Sequence, residues 1–139
     1  MKLVCLLIFI SLGTLTMNVK GAQDNQLSQY YWENRVLITT IASEQELTSL
    51  EQQLQKLWPE FEERKLIVFA IYKERSFELT PQSSYSKQNI EEITKRLNNR
   101  HTLLIGLDGG SKAVYDSFDS KQIFADIDAM PMRRSRLEN

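Results

Sequence analysis

Residues 101–134 read HTLLIGLDGGSKAVYDSFDSKQIFADIDAMPMRR, and no other stretch limits the architecture as tightly. Residues 101–107 read as a strand that meets Asp108-Gly109-Gly110, and a second extended run, 112–115, follows. Glycines at such a turn supply the positive φ that a tight hairpin needs, so the two runs are predicted to pair antiparallel. Asp119 or Ser120 then caps a helix with Ile123, Phe124, Ile127 and Met130 on one face. Pro131 is predicted to stop that helix, leaving a tail that carries Arg133, Arg134 and Arg136. A hairpin and one helix cannot bury both faces of a sheet. The rest of the chain must therefore add strands beside this hairpin and helices over it.

The preceding residues supply those parts in alternation. Residues 35–41 are rich in Val, Ile, Leu and Thr and suit a first strand. Tyr30, Tyr31 and Trp32 stand before it and are predicted to pack their rings on the edge of the core. Ser43 and Glu46 form a capping box, and Leu47, Leu50, Leu54, Leu57 and Trp58 then recur at helical spacing. Pro59 ends that helix or starts its last turn. Residues 65–72 are apolar almost throughout, as in a central strand covered on both faces. Residues 74–85, with Pro81 and several serines, read as a long surface connection. Ser86 is predicted to cap a second helix facing inward through Ile90, Ile93 and Leu97. The order β-α-β-α-β-β-α predicts a four-stranded mixed sheet with helices on both faces, the minimal thioredoxin-like arrangement. The two crossovers are long enough for parallel pairing.

The amino terminus reads as an address. Lys2 precedes an apolar segment, 3–15, and small residues follow at Gly21 and Ala22, the layout of a secretory signal peptide. The segment is shorter than the roughly 20 residues of a comfortable membrane span. The expected division is a signal over 1–22, a flexible leader over 23–29, the domain over 30–134 and a tail over 135–139. Exported, periplasmic or secreted, the remaining chain would hold 15 bases against 18 acids, a net charge of −3. Mixed, mildly acidic charge argues against nucleic acid as a partner.

The only cysteine, Cys5, lies inside the predicted signal. In a thioredoxin-like sheet, redox chemistry sits where the first strand turns into the first helix, because a helix N-terminus lowers a thiol pKa. Thr40-Ile41-Ala42-Ser43 stands at that junction here. Thiol–disulfide exchange and cysteine peroxidase chemistry are thereby excluded for the processed chain. The proline that thioredoxin-like proteins usually place before the third strand is replaced by Asn98-Asn99-Arg100-His101. Ser43 reads as a helix cap rather than a nucleophile. One histidine and no processed cysteine argue against zinc, and Asp116, Asp119, Asp126 and Asp128 lack EF-hand spacing. No catalytic residue, metal site or cofactor is predicted. The remaining polar candidates are His101, Asp128, Arg133 and Arg134, which an enzyme of unassigned type would have to bring into one pocket. Met130 and Met132, flanking Pro131, could instead serve a weak cuprous or anion site together with the arginines. The basic exit itself reads mainly as a complement to the negative end of the last helix.

Three segments together carry a resemblance: Trp32-Glu33-Asn34-Arg35, residues 104–110 (LIGLDGG) and residues 127–133 (IDAMPMR). The chain resembles, over about 30–134, a family of exported bacterial proteins classed as domain of unknown function 4174. That family is distantly similar to thioredoxin-like domains at the C-termini of vertebrate sushi-repeat and coiled-coil matrix proteins. The resemblance implies a thioredoxin-like fold and assigns no catalytic residue. Leu107 stands where a basic residue often precedes the Asp-Gly turn. The expected function is a non-catalytic binding or interaction module, with an unidentified protein or small ligand of the cell envelope as partner.

Overall fold

The computed structural model describes residues 26–81, 86–87 and 90–137. The predicted signal segment, Cys5 and the cleavage region lie outside the described residues. A 3₁₀ helix, Gln26–Tyr30, opens the fold, and its Leu27 is 1% exposed. The leader expected over 23–29 is therefore built into the core at its end, because Leu27 finds an apolar slot beside Ile93 and Leu97.

Strand β1, Arg35–Thr40, lies at the centre. Helix α1, Glu44–Lys56, and the short helix α2, Trp58–Glu63, lead to β2, Leu66–Tyr72. Pro59 falls in the first turn of α2, where its missing N–H has no partner to lose. Strands β1 and β2 pair in parallel, Arg35 opposite Leu66 through Thr40 opposite Ile71.

The chain then departs from the four-strand expectation. Lys73 and Glu74, with φ of 46° and 58°, make a two-residue turn into β3, Arg75–Leu79. Strand β3 pairs antiparallel with β2, and the two-residue β4, Ser86–Lys87, pairs with β3. Ser86 thus belongs to a strand and not to a helix cap. Helix α3, Ile90–Leu97, returns the chain to β5, Thr102–Ile105. Asn98 and Asn99 take positive φ of 50° and 60° at its end, a conformation asparagine tolerates better than most residues. The long second crossover delivers β5 antiparallel to β1, and β6, Ser111–Tyr115, pairs antiparallel with β5. The sheet has six strands in the order β4-β3-β2-β1-β5-β6.

Alternation along the strands divides the interior in two. Leu37, Val68 and Leu104 face Leu50 and Leu54 of α1, Phe61 of α2, and Ile123 and Ile127 of helix α4, Ser120–Asp128. Val36, Ile38, Phe69, Leu103 and Ile105 face Leu27, Ile93 and Leu97 on the other side. Helices therefore cover both faces, as expected. Asp119 is the α4 cap, accepting from the N–H groups of Lys121 and Gln122. Pro131 does not end the helical structure. It opens a fifth helix, α5, Pro131–Leu137, so the residues expected as a tail are helical as far as Leu137. Proline is as compatible with a first helical position as with a stop, and here the break falls at Ala129–Met130.

Candidate functional site

The junction of β1 and α1 is a closed cap. Ser43 Oγ accepts from the Glu46 N–H (3.1 Å), and Glu46 Oε2 accepts from the Ala42 N–H (2.8 Å). Both halves of the capping box are formed, which occupies Ser43 as an acceptor and gives it a structural role.

The opposite end of β1 is different. The extended backbone puts Arg35 on the same face as Leu37 and Thr39, looking toward α2 and α4. Arg35 is 2% exposed. Its Nη1 donates to the Arg64 carbonyl (2.8 Å), and its Nε has no partner among the described residues. Burial, and the charges of Arg136 and Arg133, pull its pKa below the ordinary arginine value, with Asp128 opposing them. Arginine nevertheless stays charged under all ordinary conditions.

Beside it, α2 and the α4–α5 link are locked together by ion pairs. Arg64 Nη2 donates to Asp128 Oδ2 (2.7 Å), and the Arg64 guanidinium lies 4.6 Å from the Phe124 ring centroid. Arg133 donates from Nε to Asp128 Oδ1 (3.3 Å), from Nη1 to the Glu63 carbonyl (3.1 Å) and from Nη2 to Glu63 Oε1 (2.5 Å). Burial alone would lower the Arg133 pKa, but its bonds to Glu63 and Asp128 outweigh that and raise it. Burial likewise pushes the Asp128 carboxyl up, and Arg64 and Arg133 outweigh it, holding Asp128 below the usual carboxylate range. Two guanidinium groups thus share two carboxylates.

The hairpin turn closes the far wall. Asp108 accepts from the Gly110 N–H (3.0 Å) and from Lys112 Nζ (2.8 Å), and the Lys112 bond leads in holding its carboxyl below the ordinary value. Gly109 has φ +75°, and a Cβ there would come within 2.7 Å of the Tyr31 ring. Trp32, with φ 67°, donates its N–H to the Leu107 carbonyl (2.6 Å), and Arg96 of α3 donates to the Gly109 carbonyl. The three segments singled out in the sequence, 32–35, 104–110 and 127–133, therefore meet at one end of the sheet. Between them lies a cleft of about 240 Å³. Arg35 comes to it from β1, Gly106, Leu107 and Lys112 from the hairpin, and Met130, Pro131 and Met132 from the α4–α5 link.

Residues 26–136 match the family described as Domain of unknown function (DUF4174). The chain belongs to this family. A search of curated proteins and of solved structures finds no match to it. In this DUF4174 chain the four polar candidates separate. Asp128 and Arg133 join the ion-pair cluster, and Arg134, on α5, is exposed. His101 lies beside Thr40, whose N–H donates to its carbonyl (2.9 Å). Five residue steps of β1 at about 3.3 Å each, roughly 16 Å of strand, separate it from Arg35 and the cluster. The pocket that an enzyme reading needs from His101, Asp128 and Arg133 is not formed. Met130 packs against the core while Met132 is 48% exposed. Trp32, expected to pack, is 69% exposed, while Tyr30 stacks edge-on with Phe69 at 5.6 Å and donates to Glu78 (2.8 Å).

Sequence reasoning overlooked Arg35, Glu63 and Arg64. A usable signal existed for the first of them: period-two alternation places Arg35 on the inward face with Leu37 and Thr39. Among the described residues no helix is long and apolar enough to cross a membrane.

Proposed function

We propose that the chain is an exported, thioredoxin-like, single-domain binding module that performs no redox chemistry. Its ligand site would be the cleft at the Arg35 end of β1. The observation that carries this reading is the convergence of three separate segments on an apolar cleft that holds a buried arginine with no carboxylate bonded to it among the described residues. A structural packing seam would have no use for such a charge, since burying a cation without a counter-ion is costly.

The thioredoxin-like assignment is supported by the run β2-β1-β5-β6, in which one parallel pair is followed by two antiparallel pairs under helices on both faces. The third and fourth strands would then be an added arm on the β2 edge. The absence of catalysis is supported by the spent hydrogen bonds of Ser43 and by the distance of His101 from the acidic and basic groups. Export is supported by the basic start and apolar segment at 1–22.

A thermal-shift screen of small organic anions, cations and neutral compounds, run beside hydrolase and thiol-redox assays, tests the reading. The expected result is at least one stabilising ligand and no turnover. Turnover abolished by a point substitution would overturn it. Fusion of residues 1–22 to a reporter tests export, which fails if the reporter stays in the cytoplasm.

A further inference from the structure

The binding reading leaves the ligand's chemistry open, and the charges around the cleft narrow it. Arg64 and Arg133 are matched by Asp128 and Glu63, and Lys112 by Asp108. Arg35 remains: 98% buried, one N–H on a carbonyl oxygen and Nε unpartnered among the described residues. Arg136, whose charge also reaches Arg35, is exposed on α5 and outside the lining, so within the cleft the charge left to balance is that of Arg35, which fits a monoanion better than a dianionic phosphate. The other walls are Leu107, Met130, Pro131 and Met132, apolar side chains on which a charged, fully hydrated ion would gain nothing. A methionine wall is soft and adapts to flexible chains. The volume, about 240 Å³, falls just under the size range of ordinary ligand pockets and suits a compact molecule.

We propose that the cleft binds a small amphiphilic carboxylate, its carboxylate on the Arg35 guanidinium and its short hydrocarbon tail against Leu107, Met130 and Met132. This rests on the cleft being the ligand site. The arginine fork offers paired N–H groups suited to a carboxylate, and buried Leu107 with core-packed Met130 shields the pair from water.

Calorimetric titration of the protein with sodium octanoate, octanol and inorganic phosphate is the test. Octanoate should bind at one site per chain, and octanol and phosphate each at least about tenfold more weakly. Arg35→Met should weaken octanoate by about tenfold or more and leave octanol unchanged. Met132→Glu, at an exposed position where folding tolerates a charge, sets a tethered carboxylate at the mouth and should weaken octanoate similarly. Equal affinity for octanoate and octanol, tighter binding of phosphate, or octanoate binding unaltered in both variants overturns the proposal. If octanol binds and Met132→Glu removes it while octanoate does not bind, the cleft is a ligand site and only the anion assignment fails. If no probe binds and the ligand screen finds none, both readings fall.

Discussion

Arg35→Met is expected to stabilise the free protein, although it removes a buried hydrogen bond. Wild-type Arg35 is 2% exposed, and its guanidinium bonds one carbonyl, that of Arg64. Holding a cation at such a site costs several kcal/mol after relaxation, taken as ~4 kcal/mol. Its charged hydrogen bond returns about 2 kcal/mol. Methionine has a similar length and fills the same space without the desolvation cost. It leaves the Arg64 carbonyl short of one donor, a loss of about 1 kcal/mol. The balance is a gain of ~1 kcal/mol, or an increase in Tm of about 4 °C for a domain of this size. Urea unfolding and calorimetric melting at neutral pH, without added ligand, measure it. Arg35→Ala serves as a control, since it removes the charge but opens a cavity and should fall below Arg35→Met by about 2 kcal/mol. A loss of ~2 kcal/mol or more in Arg35→Met would refute the reasoning, because it would mean that the charge is already compensated in the free protein.

Three further predictions concern the surroundings of the cleft and the α1 cap at the other end of β1. Asp128→Asn should cost about 1 kcal/mol at pH 7, a modest figure because the carboxylate is a third exposed and screened. Asp128 has a depressed folded pKa, so its contribution is complete above the unfolded value of about 3.9 and fades as pH falls through the folded value. Urea unfolding should show the wild-type and Asp128→Asn stabilities converging below about pH 4, and a gap that persists there would contradict the assignment. Gly109→Ala, with φ +75° and the Tyr31 ring 2.7 Å away, should destabilise by ~2 kcal/mol. Gly110→Ala, where the nearest atom is an Asp108 carboxylate oxygen at 3.3 Å, should stay within about 0.5 kcal/mol in the same denaturation assay. Ser43→Ala should cost about 1 kcal/mol through loss of the α1 cap and leave ligand titrations unaltered.

Much of the architecture was legible because its signals are local. The Leu47–Leu54 spacing, the Ser43 and Asp119 caps and the Asp108-Gly109-Gly110 turn are formed as residue type dictates. The β2–β3 hairpin was illegible for an equally local reason. Its turn needs positive φ at both central residues, and Lys73 and Glu74 adopt it without the Gly or Asn that usually announces such a turn. Tertiary pairing of five β3 residues with β2 overrides that local preference. The cleft was half visible. Its three segments stood out as sequence, but their meeting depends on β5 running antiparallel to β1, which brings Leu107 back to the Arg35 end. Nothing in the pattern of Arg133 distinguishes a solvated tail from a residue anchored on Glu63. Only the turn from α4 into α5 at Pro131 makes that difference.

The rims of the sheet have a consequence for assembly. Among the described residues one border is a strand of two residues, too short to template another chain. The other, Ser111–Tyr115, carries the ammonium of Lys112 and follows an irregularity in its register near Ile105. Lateral growth by strand addition is discouraged at both borders. The open sheet is thus protected from fibrillar self-association without closing into a barrel.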